Sequence, residues 1–250
     1  MTSPIKLESR TNRTVAEFCD RAKNPSEDFF LVEGRRFVLD LDISLLKAVL
    51  ILDKDKYIKE TELFLKRNIP VYYITRPVAE KISSTVNVQE IMAFASKQKV
   101  PQPKRLVLLD RIQDPGNMGT IIRSAAAFGF GVIYSEGSAN PFSTKAVRSS
   151  AGTIQQCFLK NAEISLTREA RELKKLGFKI FSAELDQNAE TPDSIKNVGK
   201  IAIIIGNEAS GVSAKLSEEA DQKIRIPLTE KAESLNAAAA ASILMYCFRP

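Results

Sequence analysis

Leu106-Val107-Leu108-Leu109-Asp110-Arg111-Ile112-Gln113-Asp114-Pro115-Gly116-Asn117-Met118-Gly119-Thr120-Ile121-Ile122-Arg123 is the stretch on which the fold turns. The apolar run 106–109 reads as a buried strand, and Asp-Pro-Gly turns the chain after it. Met118, Ile121, Ile122, Ala125 and Phe128 then recur at helical spacing until Gly129 stops the helix. Strand, polar turn and helix form the repeating unit of an α/β protein, which keeps its binding groups beyond the carboxyl ends of its strands. The same arrangement recurs where 201–205 runs into Gly206-Asn207-Glu208-Ala209-Ser210-Gly211, and where Ile224-Arg225-Ile226-Pro227 leads to Ser234-Leu235-Asn236. These polar loops at strand ends predict one composite site.

Outward from this stretch, the periodicity predicts a helix over 143–149, a short strand over 154–159 and a helix over 166–176 closed by Gly177. Strands over 132–134, 178–182, 201–205 and 223–226 and a final helix over 235–248 complete this half. Strands separated by helices predict an α/β fold with a mostly parallel sheet covered on both faces. Before it, a helix over 14–22, strands over 29–32, 48–52, 71–75 and 91–95 and a helix over 59–67 describe a small α/β/α domain. The polar, basic, two-proline segment between them is the expected linker. The predicted boundaries are 1–98, a linker over 99–105, and 106–250.

The 250 residues, 44% hydrophobic, are enough for a full core. A formal net charge of +6, spread over both halves, favours a polyanionic partner such as nucleic acid over an acidic one. Cys19, Cys157 and Cys247 form no CxxC pair, which argues against a disulfide framework or a metal site and for a reducing, cytoplasmic setting. No apolar run approaches the roughly 20 residues of a membrane helix, so no membrane partner is expected. With His 0, the commonest general base and every His-containing triad are excluded.

Each loop has a structural and a functional reading. Asn117 is positioned to cap the helix that follows it. Arg123 shares its helix face with Gly119, Thr120, Ala126 and Ala127, a shallow trough of small residues. Its guanidinium is there either as a solvated helix side chain or as a fork for a phosphate or carboxylate. The loop bracketed by Gly206 and Gly211, with Asn207, Glu208 and Ser210, is either a ligand cradle or a tight turn. Ser234 and Asn236 lie at the start of the last helix, where capping is again a sufficient role. The run 237–241 is all alanine, which predicts a helix packed closely against a neighbour.

Together, in this order, these segments resemble the motifs of the SpoU/TrmH family of RNA ribose methyltransferases, within the SPOUT superfamily. The run 109–125 resembles its first motif and Ile205-Gly206-Asn207-Glu208 its second; Ile226-Pro227-Leu228 with Glu233-Ser234-Leu235-Asn236 resembles its third. Lys145-Ala146-Val147-Arg148-Ser149-Ser150-Ala151-Gly152 matches a run carried between the first two motifs. Phe30-Leu31-Val32-Glu33-Gly34 and Gln89-Glu90-Ile91-Met92-Ala93 more loosely resemble the substrate-binding domain, related to a ribosomal protein, of ribosomal-RNA members. Ala126, Ala209 and Glu90 depart from the common pattern without removing a catalytic residue type.

The resemblance implies methyl transfer from S-adenosylmethionine to a ribose 2′-hydroxyl of RNA, most naturally 23S-type ribosomal RNA. It implies a catalytic domain holding a trefoil knot, and a homodimer that completes the site across its interface. It assigns catalysis to Arg123, with Asn117 orienting Arg123 or the ribose and Glu208 holding Arg123 or a substrate hydroxyl. Ser234 and Asn236 would order the pocket and receive the RNA, and backbone groups near Gly206, Ile226 and Leu235 would cradle the cofactor. The competing readings are a transfer-RNA ribose methyltransferase and a non-catalytic RNA-binding ribosome-assembly factor.

Overall fold

The computed structural model describes residues 3–83, 85, 87–195 and 199–250. The chain forms two compact units. The first comprises residues 1–98 with 140–155, and the second comprises 99–139 with 156–250.

In the first unit, β1 (Ile5–Leu7), α1 (Arg13–Lys23), β2 (Phe30–Glu33), α2 (Arg35–Asp40), β3 (Leu46–Ile51), α3 (Ile58–Lys66), β4 (Val71–Ile74), α4 (Arg76–Ile82) and β5 (Ile91–Ala95) follow one another. The sheet order is β1-β4-β3-β5-β2. β1, β4 and β3 are parallel, while β5 runs antiparallel to both β3 and β2. α1 buries Val15, Phe18 and Cys19 on one face, and Phe18 stacks on Phe94 of β5 at 4.9 Å between centroids. β1 and the short helices α2 and α4 escape the periodicity above, because three to seven residues carry too few repeats of either period.

Further along the chain come β6 (Arg105–Leu109), α5 (Pro115–Phe128), β7 (Gly131–Tyr134), α6 (Thr144–Ser149), β8 (Leu159–Asn161), α7 (Leu166–Lys175), β9 (Phe178–Ala183), β10 (Lys200–Ile205), α8 (Ala214–Ser217), β11 (Gln222–Ile224) and α9 (Ala237–Cys247). α6 belongs to the first unit, where it packs on β2. Phe142 lies 5.5 Å from Phe30 between ring centroids. Gln155 Nε2 donates to Ser96 O at 3.3 Å, and Gln155 Oε1 accepts from the Asp42 N–H at 3.2 Å.

Those contacts also correct the strand expected over 154–159. Thr153–Gln155 instead form a single 3₁₀ turn packed in the first unit, and the strand starts only at Leu159.

The sheet of the second unit has the order β11-β9-β10-β6-β7-β8, with every neighbouring pair parallel. Parallel sheets have both faces covered, so their strands read as continuous apolar runs. Leu106, Val107, Leu108 and Leu109 are fully buried, and Ile201 to Ile205 nearly so. Because all strands run one way, the carboxyl ends of β6, β9, β10 and β11 share one edge. Gly129 closes α5 in the left-handed region at φ 72°, where glycine carries no Cβ penalty.

Candidate active site

The first loop is held partly by residues the sequence reading did not single out. Asp110, 5% exposed, accepts from the Ser213 N–H at 2.8 Å and from Arg111 Nε at 3.0 Å. Arg111 itself sits at φ 56°. The cap of α5 is Asp114, whose Oδ2 accepts from the Asn117 N–H at 3.1 Å, with Pro115 at the first helical position. This corrects the placing of the cap at Asn117. A proline needs no N–H partner in the first turn and fixes φ for a helix start, so the helix begins three residues earlier.

Released from capping, the Asn117 side chain joins the other two loops. Its Nδ2 donates to Glu208 Oε1 at 2.9 Å, and its Oδ1 accepts from Asn236 Nδ2 at 2.9 Å. Asn236 Oδ1 accepts in turn from the Ala238 and Ala239 N–H groups at 2.9 and 3.2 Å, capping α9. An ionised carboxylate only accepts, so Glu208 fixes the Asn117 amide orientation, and Asn117 fixes that of Asn236. The relay runs from the positive end of α9 to a carboxylate.

Glu208 also accepts from the Gln113 and Asp114 backbone N–H groups, each at 3.3 Å. Partial burial pushes its pKa up. The hydrogen bonds from Asn117 and from backbone N–H groups outweigh that and hold it below the ordinary carboxylate range.

Gly206 is required by close approach. A Cβ there would lie 2.2 Å from Gly211 C and from Val212 N, because the 207–211 loop folds back over it. Asn207 N and Gly211 O bond at 3.0 Å, and Gly211 N and Asn207 O at 2.9 Å. Asn207 Oδ1 accepts from the Ala209 and Ser210 N–H groups, both at 3.0 Å. The loop is a self-bonded turn, and Gly206 at its base lines a cavity.

That cavity, of about 640 Å³, lies at the carboxyl edge of β9, β10 and β11. Gly206, Glu208, Ile226, Ser234, Leu235 and Asn236 all line it. Ser234 is exposed and makes no hydrogen bond among the described residues. Glu184, at the end of β9, also lines the cavity and escaped the sequence reading, although its strand-end position was a usable signal. It accepts from Ser182 Oγ at 2.7 Å and pairs with Lys223 at 2.9 Å.

The volume is that of a small-molecule site, and apolar walls with a few convergent polar groups suit one flat ring system and one charged tail. Ile226, Leu235 and Leu244 provide the walls, and Glu208, Ser234 and Asn236 add polar groups along the same cavity. These residues fit S-adenosylmethionine.

Arg123 is not among the cavity-lining residues. Six residues beyond Asn117, it lies about 9 Å along α5 and about 120° around it. Gly119 beneath it is buried, while Thr120 and Ala127 are exposed and Ala126 half-buried. Arg123 is exposed, with no hydrogen bond or ion pair among the described residues, so it touches neither Asn117 nor Glu208. α5 packs on α9, where Ser124 Oγ and Ser242 Oγ are 2.7 Å apart.

The SpoU rRNA Methylase family model matches residues 104–246. The chain is 31% identical over 252 residues to the 23S rRNA (guanosine(2553)-2′-O)-methyltransferase RlmP of Bacillus subtilis, covering 98% of this chain and 99% of that protein. An rRNA methyltransferase from Sinorhizobium meliloti superposes with a TM-score of 0.83 at 25% identity, covering 98% of this chain and 97% of that one. An AdoMet-bound structure of an rRNA methyltransferase from the same organism superposes at 0.81 with 26% identity, covering 97% and 96%. The two-unit fold with its parallel sheet agrees with these matches, and the chain belongs to the SpoU rRNA methylase family.

Proposed function

We propose that the protein transfers the methyl group of S-adenosylmethionine to a ribose 2′-hydroxyl of large-subunit ribosomal RNA. The observation that carries this reading is the Glu208–Asn117–Asn236 relay, which ties the three motif loops together at the rim of a cofactor-sized cavity. S-adenosylmethionine supplies an electrophilic methyl group. The chain must bind it, place the ribose against it and stabilise a poorly acidic hydroxyl whose oxygen takes the methyl group from sulfur, with the proton passing to solvent water and S-adenosylhomocysteine leaving.

Arg123 serves the last task. A guanidinium keeps its charge in proteins, so Arg123 acts by stabilising the developing alkoxide and holding the adjacent phosphate rather than by taking the proton. Glu208, Asn117 and Asn236 keep the loops in register, Ser234 and Asn236 receive the RNA, and backbone groups at Gly206, Ile226 and Leu235 hold the cofactor within a trefoil-knotted chain.

Within one chain Arg123 is exposed and outside the cavity, which supports a homodimer in which Arg123 of one protomer completes the cavity of the other. Ile243 and Tyr246, exposed on α9 beside α5, are apolar groups suited to that interface. Residues 1–98 serve as the RNA substrate-binding domain, 99–105 as linker and 106–250, apart from the 140–155 segment that packs in the first unit, as the catalytic domain, acting in the cytoplasm. Ribosomal RNA is favoured over transfer RNA because the Bacillus subtilis relative, named for 23S rRNA, aligns along both units.

Mapping 2′-O-methyl positions in total RNA from cells with and without the protein tests the reading. Loss of a large-subunit rRNA methylation is expected. Loss confined to tRNA would transfer the activity to that substrate, and an unchanged map would leave a non-catalytic RNA-binding role.

A further inference from the structure

Among the described residues lining the cavity, Arg225 is the one cation. It is half-buried beside the fully buried Ile224. Its Nε donates to Ala189 O at 3.3 Å and its backbone N–H to Glu190 O at 2.9 Å, but no carboxylate pairs with it among the described residues. The nearby carboxylates are committed elsewhere. Glu184 takes Ser182, Ser217 and Lys223; Asp186 takes Lys223 at 3.5 Å; Glu190 takes Ser194 Oγ at 2.8 Å; and Glu208 belongs to the relay.

A guanidinium drawn partly out of water without an anion loses hydration uncompensated. Engaged only through Nε, Arg225 keeps both terminal nitrogens of the fork that matches two oxygens of an oxyanion.

We infer that Arg225 is the seat of the α-carboxylate at the amino-acid end of the cofactor. The inference rests on the S-adenosylmethionine reading above. A carboxylate and an RNA phosphate offer the same paired oxygens. The carboxylate is the better occupant because Arg225 stands in the cavity wall between Ile224 and Ile226, whereas a phosphodiester backbone tracks an outer surface. Arg225 then discriminates between adenosyl ligands that keep the amino-acid end and those that lack it.

The test is calorimetric titration of the full chain with S-adenosylhomocysteine, which has the amino-acid end, and 5′-methylthioadenosine, which lacks it. Arg225→Gln should weaken the first about 10- to 100-fold, the range for hydrogen bonds to charged groups, and leave the second within about twofold. Arg225→Lys keeps the charge but not the fork and should recover part of the loss, with thermal melting confirming that both variants fold.

Equal loss for both probes would make Arg225 a structural residue and overturn the inference, as would no loss for either. Weaker binding of an rRNA fragment with both nucleoside affinities unchanged would put a phosphate on Arg225 and overturn it too. If the unsubstituted chain binds neither probe, the cofactor reading itself fails and the inference with it. Normal binding by the unsubstituted chain with an indifferent Arg225→Gln removes only the inference.

Discussion

Asn236 Nδ2 donates to Asn117 Oδ1 at 2.9 Å across 119 positions of sequence, while Asn236 Oδ1 caps α9. One amide thus starts a helix and donates to the residue that bonds Glu208. Asp caps about as well as Asn but has no N–H to donate. Asn236→Asp should therefore keep most of the stability and lose methylation, whereas Asn236→Ala should lose both, with about 1 kcal/mol from the cap alone. Urea midpoints measured beside methylation rates separate the two effects; wild-type turnover in Asn236→Asp would remove the relay from the mechanism.

Arg123→Ala should lower turnover by a factor of about 100 to 1,000, as for loss of a charge-stabilising group. Arg123 is exposed and makes no hydrogen bond or ion pair among the described residues, so melting temperature and cofactor affinity should not move. Single-turnover methylation with calorimetric cofactor binding checks both halves, and undiminished turnover would end its catalytic assignment.

Gly206→Ala forces a Cβ against Gly211 and Val212 at 2.2 Å, far inside contact distance. The neighbours are backbone, so the 207–211 turn must move. The expected result is a loss of stability on the order of 2 kcal/mol or more, with collapse of cofactor affinity. Denaturation and equilibrium binding are the measurements; a stable, cofactor-binding Gly206→Ala would show that the turn is not rigid.

Glu208 has a folded pKa below its ordinary value of 4.5. A depressed carboxylate pKa gives stability that is fully present above the unfolded value and lost as pH falls through the folded one. Between about pH 5 and 9, Glu208 should stay ionised, so no limb of the pH–rate profile should come from it. Profiles for the wild type and Glu208→Gln should be parallel in that window; a wild-type limb absent from Glu208→Gln would contradict this.

Much of the second unit was legible because its signals are local. The runs 106–109 and 201–205 are apolar throughout, and Gly129 and Gly177 stop their helices, with φ of 72° and 83°. The loops that carry Gly206, Glu208, Ser234 and Asn236 could be placed at strand ends for the same reason, and the structure brings all four to the cavity. The helix start was misplaced because capping is a competition between nearby acceptors. Asp114-Pro115 outcompetes Asn117, and only the observed bond from the Asn117 N–H to Asp114 decides it.

By itself, the sequence determined the α/β class, the strand-end loops and the residue types available for chemistry, since period, turn residues and the absence of histidine are readable without knowing any neighbour. Only the tertiary structure decided that residues 140–155 pack in the first unit, that Asn117 bonds Glu208 and Asn236, and that Arg123 lies outside the cavity of its own chain. Such relationships depend on which strands lie side by side. The partners Asn117 finds, 91 and 119 positions away, become neighbours only when β10 pairs with β6 and α9 packs on α5.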